Sequence, residues 1–183
     1  MTEKLLILDL DETLIYATET RLEHPPNFTL FENTEQPYFV YKRPHLETFL
    51  EFCFAKFEVA IWTSSSEDYA RGVVDNILTS LQKPVFVWAR TRCTYQRNPE
   101  TYEYEWLKNL TKLKRRGYKL ENVVMVDDTP TKLAKHYGNL VPVKSFEGND
   151  LDNELSLLPK FLEKLKTVEN VRRVEKRYWR NLI

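Results

Sequence analysis

Five short apolar segments recur along the chain, and longer amphipathic segments separate them. Residues 5–8 are four consecutive apolar residues, a run too short for a helix but typical of a strand buried on both faces. Similar runs follow at 57–62, 84–88, 122–126 and 140–143. Strands of this type, alternating with helices, are typical of parallel sheets. The pattern therefore predicts an α/β fold with a central parallel sheet, and Pro142 predicts an edge position for the last strand.

Apolar residues at helical spacing occupy several of the segments between these runs. The spacing predicts a helix that Pro44 opens and a second helix that begins after Ser66, each with one buried face. A third helix is predicted from Trp106 to Gly117, where glycine is a natural C-terminal cap. Lys108 would lie near the start of that third helix.

Other segments lack a helical pattern or leave alternatives open. Residues 16–37 are polar and aperiodic and are predicted to form a long loop or a small excursion, while 38–41 are predicted to form a short strand. Residues 89–105 are polar and aromatic and are predicted to be non-helical. One or two helices are expected around Pro159. The basic tail, residues 168–183, is expected to form an amphipathic helix packed on the domain, with a partner-binding patch as the alternative.

Composition narrows the class of protein. The chain has 183 residues with 42% hydrophobic content, which suits a single domain spanning residues 1–183. Basic and acidic residues are equal at 27 each, so binding to nucleic acid is not expected. No apolar stretch approaches the length of a membrane span, no secretion signal is recognisable, and Cys53 and Cys93 form no disulfide framework. We expect a soluble intracellular protein, located in the cytoplasm or, if the source is a eukaryote, in the nucleus.

Candidate chemistry begins where the first apolar run ends. Asp9 and Asp11 follow that run directly, and in extended chain they project to the same side. Two carboxylates at the carboxyl end of a central strand lie where open α/β sheets hold their sites. Their mutual repulsion would be offset by Mg²⁺, a cation that prefers carboxylate and phosphate oxygens. The alternative is an acidic turn that only begins the next element.

Hydroxyl groups follow the second apolar run. Thr63, Ser64, Ser65 and Ser66 lie between that run and the start of the second predicted helix. Hydroxyls at a helix N-terminus can bind phosphate, but Ser65 or Ser66 can equally cap the helix. We expect one hydroxyl to cap the helix and Thr63 to face a ligand.

Further candidates lie later in the chain. Asp127 and Asp128 end the fourth apolar run, as Asp9 and Asp11 end the first. Lys108 by itself would be an ordinary surface lysine. Arg90 belongs to a segment with several arginines that is predicted either to line the substrate side of the site or to form a solvated loop. Because the carboxyl ends of parallel strands share one edge, the set is expected to converge there.

The ordered set DLDET, WTS, Lys108 and VDDTP resembles the haloacid dehalogenase (HAD) superfamily, which has a Rossmann-like fold. Within it the chain is most similar to phosphatases that act on the C-terminal domain of RNA polymerase II, the nuclear-LIM-interactor-interacting-factor-like branch. YKRPHLETFLEF, SSSEDYARGVVDNI and LVPVKSFEGNDLDNELSLLPKFLEKL extend the resemblance over nearly the whole chain. The chain departs from it at Asp127-Asp128, where the branch often has Asp-Asn. The resemblance implies small insertions and no large cap.

The resemblance also implies a mechanism for which the residues are chemically suited. Asp9 would be the nucleophile that forms an aspartyl-phosphate, Asp11 the general acid and base, and Lys108 a catalytic cation. The substrate phosphate would contact Thr63, Ser64, Thr13 and Arg90. Mg²⁺ would be held by Asp9, by the backbone carbonyl of Asp11, by Asp128 and by Asp127 close to it.

The expected function is that of a Mg²⁺-dependent phosphatase acting on phosphoserine or phosphothreonine in proteins. The segment before Lys108 is too short for a large cap, and an open site suits a phosphate displayed on a peptide. One alternative is a phosphatase of small molecules or of nucleic-acid phosphate ends. Another is a non-catalytic binding module of the same fold. A receiver domain would present its acidic pair in a different order.

Overall fold

The computed structural model describes residues 3–31, 36–98 and 102–183, and a parallel sheet forms its centre. The strands are β1 (Leu5–Leu8), β2 (Ile15–Thr18), β3 (Phe28–Leu30), β4 (Tyr38–Lys42), β5 (Glu58–Trp62), β6 (Val87–Trp88), β7 (Thr94–Arg97), β8 (Tyr104–Leu107), β9 (Val123–Asp127) and β10 (Leu140–Pro142). The α-helices are α1 (Leu46–Lys56), α2 (Glu67–Ile77) and α3 (Glu154–Thr167). Short 3₁₀ segments connect several of these elements.

The central sheet has the strand order β10-β9-β1-β5-β6, and every pairing in it is parallel. Leu8 at the end of β1 pairs with Ile61 of β5 and with Val126 of β9. The carboxyl ends of the three middle strands therefore lie side by side. This arrangement confirms the predicted α/β fold with a central parallel sheet, and β10 lies at the edge as its proline predicts.

Two apolar clusters cover the two faces of the sheet. Leu6 and Leu8 face the cluster that contains the buried sides of α1, α2 and α3. Leu5 and Ile7 face the other cluster, to which the 3₁₀ segment Leu110–Arg116 contributes. Because β1 is buried on both faces, its side chains alternate between the clusters and all four are inaccessible to solvent. The first strand is thus held rigidly from both sides.

Of the two alternatives predicted for 16–37, the long loop is wrong and the small excursion fits, because most of β2 and all of β3 lie in this segment. Both strands pair antiparallel with β4, and they form a three-stranded sheet in the order β2-β4-β3. Each strand is only three or four residues long and half-buried, so its apolar pattern is weak. The pairing with β4 supplies the hydrogen bonds that the local pattern does not reveal. Residues 32–35 of this segment lie outside the described residues.

The helix predicted from Trp106 is also wrong at its start. Residues 104–107 form β8, which pairs antiparallel with β7 within the segment predicted to be non-helical. The helical part is the 3₁₀ segment Leu110–Arg116, which ends at Gly117 with a φ of 86°, so the predicted C-terminal cap is confirmed. Lys108 consequently lies between a strand and a 3₁₀ helix.

The C-terminal tail packs on the domain, but not as the predicted amphipathic helix. It contains two short 3₁₀ segments, and Trp179 is its large buried side chain, stacked on Phe161 of α3. The Trp179 Nε1 donates a hydrogen bond to the carbonyl of Pro142 at 2.8 Å. A single helix, α3, continues through Pro159. Among the helices of the described residues, none combines the length and the apolar character needed to cross a bilayer.

Candidate active site

The candidate site forms where the three middle strands of the central sheet end. The Asp9 amide donates to the carbonyl of Val126 at 3.0 Å, and the Thr63 amide donates to the carbonyl of Trp88 at 2.9 Å. These bonds continue the sheet pairing one residue past β1 and β5. Asp127 is the last residue of β9. The three predicted strand-end positions therefore lie side by side at one edge.

Asp9 is surrounded by positive charge. Its Oδ1 lies 2.9 Å from the Lys108 Nζ and accepts the Leu10 amide at 2.9 Å. Its Oδ2 lies 3.5 Å from the Lys132 Nζ. The same Lys108 ammonium contacts the Asp127 Oδ2 at 2.7 Å, and the side chains of Lys108 and Asp127 are completely buried. Lys108 thus bridges the carboxylates at the ends of β1 and β9.

Lys132 was not predicted, although it is the second cation of the site. It follows VDDTP by one residue, in a 3₁₀ segment that returns from β9. The Lys108 amide donates to the Lys132 carbonyl at 2.8 Å, so the two lysines are positioned together. Three carboxylates, first among them Asp9, raise the pKa of Lys132, and this outweighs the lowering by burial. The position of Lys132 close to the acidic end of β9 was the sequence signal that could have identified it.

The charges of the two lysines determine the state of Asp9. Burial raises the pKa of the Asp9 carboxyl, but the charges of Lys108 and Lys132 and the hydrogen bonds from Lys108 and Leu10 lower it by more. Asp9 is therefore a carboxylate at neutral pH. Burial and then the Asp9 charge raise the pKa of the neighbouring Asp127. The net effect is that Asp9 is held in its ionised form, whereas ionisation of Asp127 is less favourable than usual.

The carboxylates at this edge fit a divalent cation. Oxygens of Asp9, Asp127 and Asp128 all lie within 4.8 Å of one another. Burial first, and then the charges of Asp11, Asp128 and Asp9, raise the pKa of the neighbouring Glu12 to about 7. Carboxylate oxygens are the donors that Mg²⁺ prefers. The Asp11 carboxylate lies outside this cluster, so its contact with a metal through the backbone carbonyl stays a prediction.

Asp11 has neutral partners. Its Oδ1 accepts a hydrogen bond from the Tyr69 hydroxyl at 2.5 Å, and its Oδ2 accepts bonds from Ser65 Oγ at 2.7 Å and Thr63 Oγ1 at 3.2 Å. Tyr69 lies in the first turn of α2, whose N-cap is Ser66, so capping by a serine is confirmed. Tyr69 is buried, and its contact with the acidic turn was not predicted from the sequence.

The predicted phosphate-binding residues border this arrangement. Thr63 is buried, and its Oγ1 also accepts the Ser65 amide at 3.0 Å. Thr13 is buried and its Oγ1 accepts the Asp128 amide at 3.1 Å, which joins the acidic turn to the end of β9. Arg90 is exposed, and its Nε donates to the Ser64 carbonyl at 2.7 Å. The four predicted residues, Thr63, Ser64, Thr13 and Arg90, therefore lie at the site. Their contacts with a phosphate stay predictions.

A buried arginine that was not predicted supports the acidic turn from behind. Arg43 is 1% exposed and its Nη1 donates to the Thr13 carbonyl at 3.0 Å. Its Nε and Nη2 each bond Asp152 at 2.8 Å, and Nη2 also bonds the Lys144 carbonyl at 2.8 Å. Such a bidentate pair is geometrically demanding. Arg43 thereby fixes the backbone of the turn that carries Asp9 and Asp11.

Comparison with known proteins shows which chains this one is similar to. The family described as NLI interacting factor-like phosphatase matches residues 4–172. "CTD small phosphatase-like protein 2" of Dictyostelium discoideum is 37% identical over 171 residues, which are 91% of this chain and 28% of the relative. "Putative CTD phosphatase-like protein 355R" of Invertebrate iridescent virus 3 is 34% identical over 182 residues, 90% of this chain and 97% of the relative. The chain thus spans little of the first relative and nearly all of the second.

A solved structure supports the fold. Fcp1, described as an essential RNA polymerase II CTD phosphatase, aligns with a TM-score of 0.59 at 22% identity. The alignment covers 92% of this chain and 51% of that one. At this identity the likeness concerns the fold, and it agrees with the HAD-type architecture that the sequence predicts.

Proposed function

The chain belongs to the NLI interacting factor-like phosphatase family, and on that premise we propose that it hydrolyses phosphate monoesters through an aspartyl-phosphate on Asp9. The observation that carries the proposal is the contrast between two acids in one turn. Asp9 is buried against two ammonium groups, while Asp11 accepts hydrogen bonds from hydroxyl groups. A nucleophile and a proton carrier in adjacent but different environments are what a two-step phosphoryl transfer requires.

The first step transfers the phosphoryl group to the protein. A carboxylate oxygen of Asp9 forms a bond to phosphorus as the ester P–O bond breaks, and protonated Asp11 gives its proton to the departing oxygen. Lys108 and Lys132 offset the negative charge that a phosphate brings to Asp9. The Thr63 and Ser64 segment and Arg90 would contact the phosphate oxygens.

The second step restores the protein. Asp11, now a carboxylate, takes a proton from a water molecule, and the water oxygen attacks phosphorus. The bond between phosphorus and Asp9 breaks, and inorganic phosphate leaves. The hydroxyls of Tyr69, Ser65 and Thr63 hold the Asp11 side chain in one position for both transfers.

Magnesium is the proposed cofactor. Asp9, Asp127 and Asp128 would hold it, with the backbone of Asp11 as a further donor. When bound, Mg²⁺ would neutralise charge between the substrate phosphate and the attacking carboxylate. Lys108 holds Asp9 and Asp127 close together and so keeps two of the proposed ligands in place.

Phosphoserine or phosphothreonine in a protein is the proposed substrate. Ser64, Asp11 and Asp128 are only half-buried, so the edge of the sheet is accessible from solvent. The two relatives have names that contain "CTD" and "phosphatase-like", and in the family that the sequence resembles the CTD is the C-terminal domain of RNA polymerase II, a polypeptide. Hydrolysis of small-molecule or nucleic-acid phosphate ends is the second candidate for an accessible site. A non-catalytic binding module would not need both Asp9 and Asp11.

Turnover of an aryl phosphate with and without Mg²⁺ tests the reaction. We expect hydrolysis with Mg²⁺ and its loss in chelator, and brief incubation with radiolabelled substrate should label the protein at Asp9. Undiminished hydrolysis in chelator, or turnover with no labelled Asp9, would contradict the mechanism. A panel of phosphoseryl peptides, phosphorylated metabolites and phosphate-ended oligonucleotides then tests the substrate class, and the highest kcat/KM is expected for peptides.

A further inference from the structure

The hairpin formed by β7 and β8 exposes an aromatic surface. In its register Tyr95 pairs with Trp106 and Arg97 pairs with Tyr104, so these four side chains share one face. The exposed fractions are 55% for Tyr95, 60% for Tyr104 and 37% for Trp106. We name Tyr95, Tyr104 and Trp106 the aromatic ledge. Exposed aromatic clusters of this kind are typical of interaction sites.

The rings of the aromatic ledge lie against one another. Tyr95 and Tyr104 are stacked, with ring centres 4.8 Å apart and an interplanar angle of 15°, and Tyr95 and Trp106 are tilted, with ring centres 4.5 Å apart and an angle of 37°. A central ring that lies between two others has few alternative orientations. The ledge is therefore an ordered surface, and a ligand that stacks on it has little side-chain entropy to remove.

The opposite face of the hairpin is largely polar. It carries Thr94, Gln96 and Glu105, all half-buried, together with the buried Leu107. The Gln96 Oε1 accepts a bond from the Lys135 Nζ at 2.8 Å. An antiparallel pair normally turns its apolar face to the core and its polar face to water. This hairpin has mostly the reverse orientation, so packing against the core does not explain its aromatic residues.

The ledge adjoins the candidate active site. Strand β8 ends at Leu107 and the next residue is Lys108, so Trp106 lies about 7 Å along the strand from the lysine that contacts Asp9. The Arg90 guanidinium lies 5.9 Å from the centre of the Trp106 ring, and its Nε holds the Ser64 carbonyl. Arg90 therefore links the ledge to the segment that follows β5 and borders the candidate site.

Charge and chemistry favour an acidic peptide as the occupant. Arg97 lies on the same face as the ledge, and Arg90 lies beside it, so carboxylates next to an aromatic side chain would be attracted. A nucleic acid would also stack, but it needs a broad positive field, and the chain carries equal numbers of basic and acidic residues.

We propose that the aromatic ledge binds an aromatic side chain of a phosphopeptide whose phosphoserine lies in the site. The proposal rests on the proposed function. By residue spacing, the backbone positions of Trp106 and Tyr104 lie about 7 and 13 Å along the extended chain from Lys108, and an extended peptide advances about 3.4 Å per residue. The aromatic residue is therefore about two to four positions from the phosphorylated one.

Binding of phosphonate peptides, whose P–C bond resists hydrolysis, tests this without turnover. Each peptide has one serine phosphonate, acidic flanks and a phenylalanine moved stepwise from five positions before it to five positions after it, with an alanine peptide as reference. We expect phenylalanine at two to four positions on one side to lower the Kd about three- to tenfold. Tyr95→Ser and Tyr104→Ser should remove that preference. Tyr178→Ser, which changes an equally exposed tyrosine outside the hairpin, should keep it.

The outcomes separate this proposal from the proposed function. A phenylalanine preference that survives in Tyr95→Ser and Tyr104→Ser, or no preference in the unchanged protein, would overturn the ledge proposal. Tighter binding of 5′-phosphorylated oligothymidine that Tyr95→Ser weakens would overturn it in favour of single-stranded nucleic acid. Failure of the unchanged protein to hydrolyse any phosphate ester would contradict the proposed function, while the Kd values would still test the ledge.

Discussion

Asp9 and Asp11 are separated by one residue, yet their carboxylates occupy different regions of the site. Asp9 is 1% exposed and contacts the ammonium groups of two lysines. Asp11 is half-buried and accepts hydrogen bonds from three hydroxyl groups. The two acids belong to the same turn, so the difference comes entirely from the elements packed against each of them.

The difference suits the two chemical roles that we propose for this turn. Burial raises the pKa of Asp9, but the lysine charges lower it by more, so this carboxyl group stays ionised, as the proposed attack on phosphorus requires. Hydroxyl groups fix the position of the Asp11 carboxylate without adding a permanent charge. That suits a group that must give up a proton and take one back. Substitutions next to Asp9 and substitutions next to Asp11 should therefore have different effects on the kinetics.

The largest effect is expected for Asp9→Asn. An amide cannot serve as the nucleophile, so turnover should fall by about 10⁴-fold or more for every phosphate ester. No phosphorylated protein should be detected by mass spectrometry after rapid quenching. Circular dichroism should show an unchanged fold. Retention of full turnover by this variant would remove Asp9 from the mechanism.

Asp11→Asn should separate the two steps. Turnover of phosphoserine peptides should fall by about 10²- to 10⁴-fold, since proton transfer to the leaving oxygen is lost. With a nitrophenyl phosphate, whose leaving group needs no proton, Asp9 should still be phosphorylated and should then stay so. Rapid-quench labelling measures this directly. If Asp11→Asn were as free of label as Asp9→Asn, the division of roles would be wrong.

Lys108→Met should lower turnover by removing a positive charge next to Asp9. Two buried carboxylates would lose their shared ammonium group, so we expect turnover to fall about 10²- to 10³-fold. The Mg²⁺ concentration needed for half-maximal rate should also change, because Lys108 spaces two proposed ligands. The matched control is Lys112→Met, which removes a half-buried lysine that bonds backbone carbonyls of residues 92 and 93. Equal rates for both variants would contradict a role for Lys108.

Tyr69→Phe should have the smallest effect on turnover, and it tests the contribution of one hydroxyl group to positioning Asp11. It removes one of the three hydroxyl donors and leaves the ring in place, so turnover of phosphoserine peptides should fall about three- to tenfold. Turnover of nitrophenyl phosphate should fall less, because its leaving group needs no proton. Tyr38→Phe, on the tyrosine whose ring meets that of Tyr69 edge-on, is the control. An identical loss on both substrates would indicate a structural role for the Tyr69 hydroxyl.

The elements that sequence reasoning located are those with a strong local pattern. Strand β1 is entirely apolar, and the acids at its end and at the end of β9 needed only the parallel-sheet rule to be placed together. Ser66 and Gly117 have the side chain and the backbone freedom that helix ends require. Each of these features depends on residues that are neighbours in sequence.

The features that sequence reasoning missed depend on contacts between distant segments. Strands β2 and β3 form because β4 supplies their hydrogen bonds, and β8 replaces a predicted helix because β7 pairs with it. In the sequence, Lys132 and Tyr69 are not distinguished from the other residues of their segments. Only the packing of those segments around the acidic turn brings an ammonium group to Asp9 and a hydroxyl to Asp11.

The sequence by itself therefore determined the central parallel sheet and the strand ends at which the acidic motifs lie. The tertiary structure alone decided which cation or hydroxyl reaches each acid, and which face of the β7–β8 hairpin points to solvent. The physical reason is the distance along the sequence over which each interaction acts. Apolar periodicity and helix capping act over a few residues, whereas the charge around a buried carboxylate is set by side chains that folding brings from more than fifty residues away.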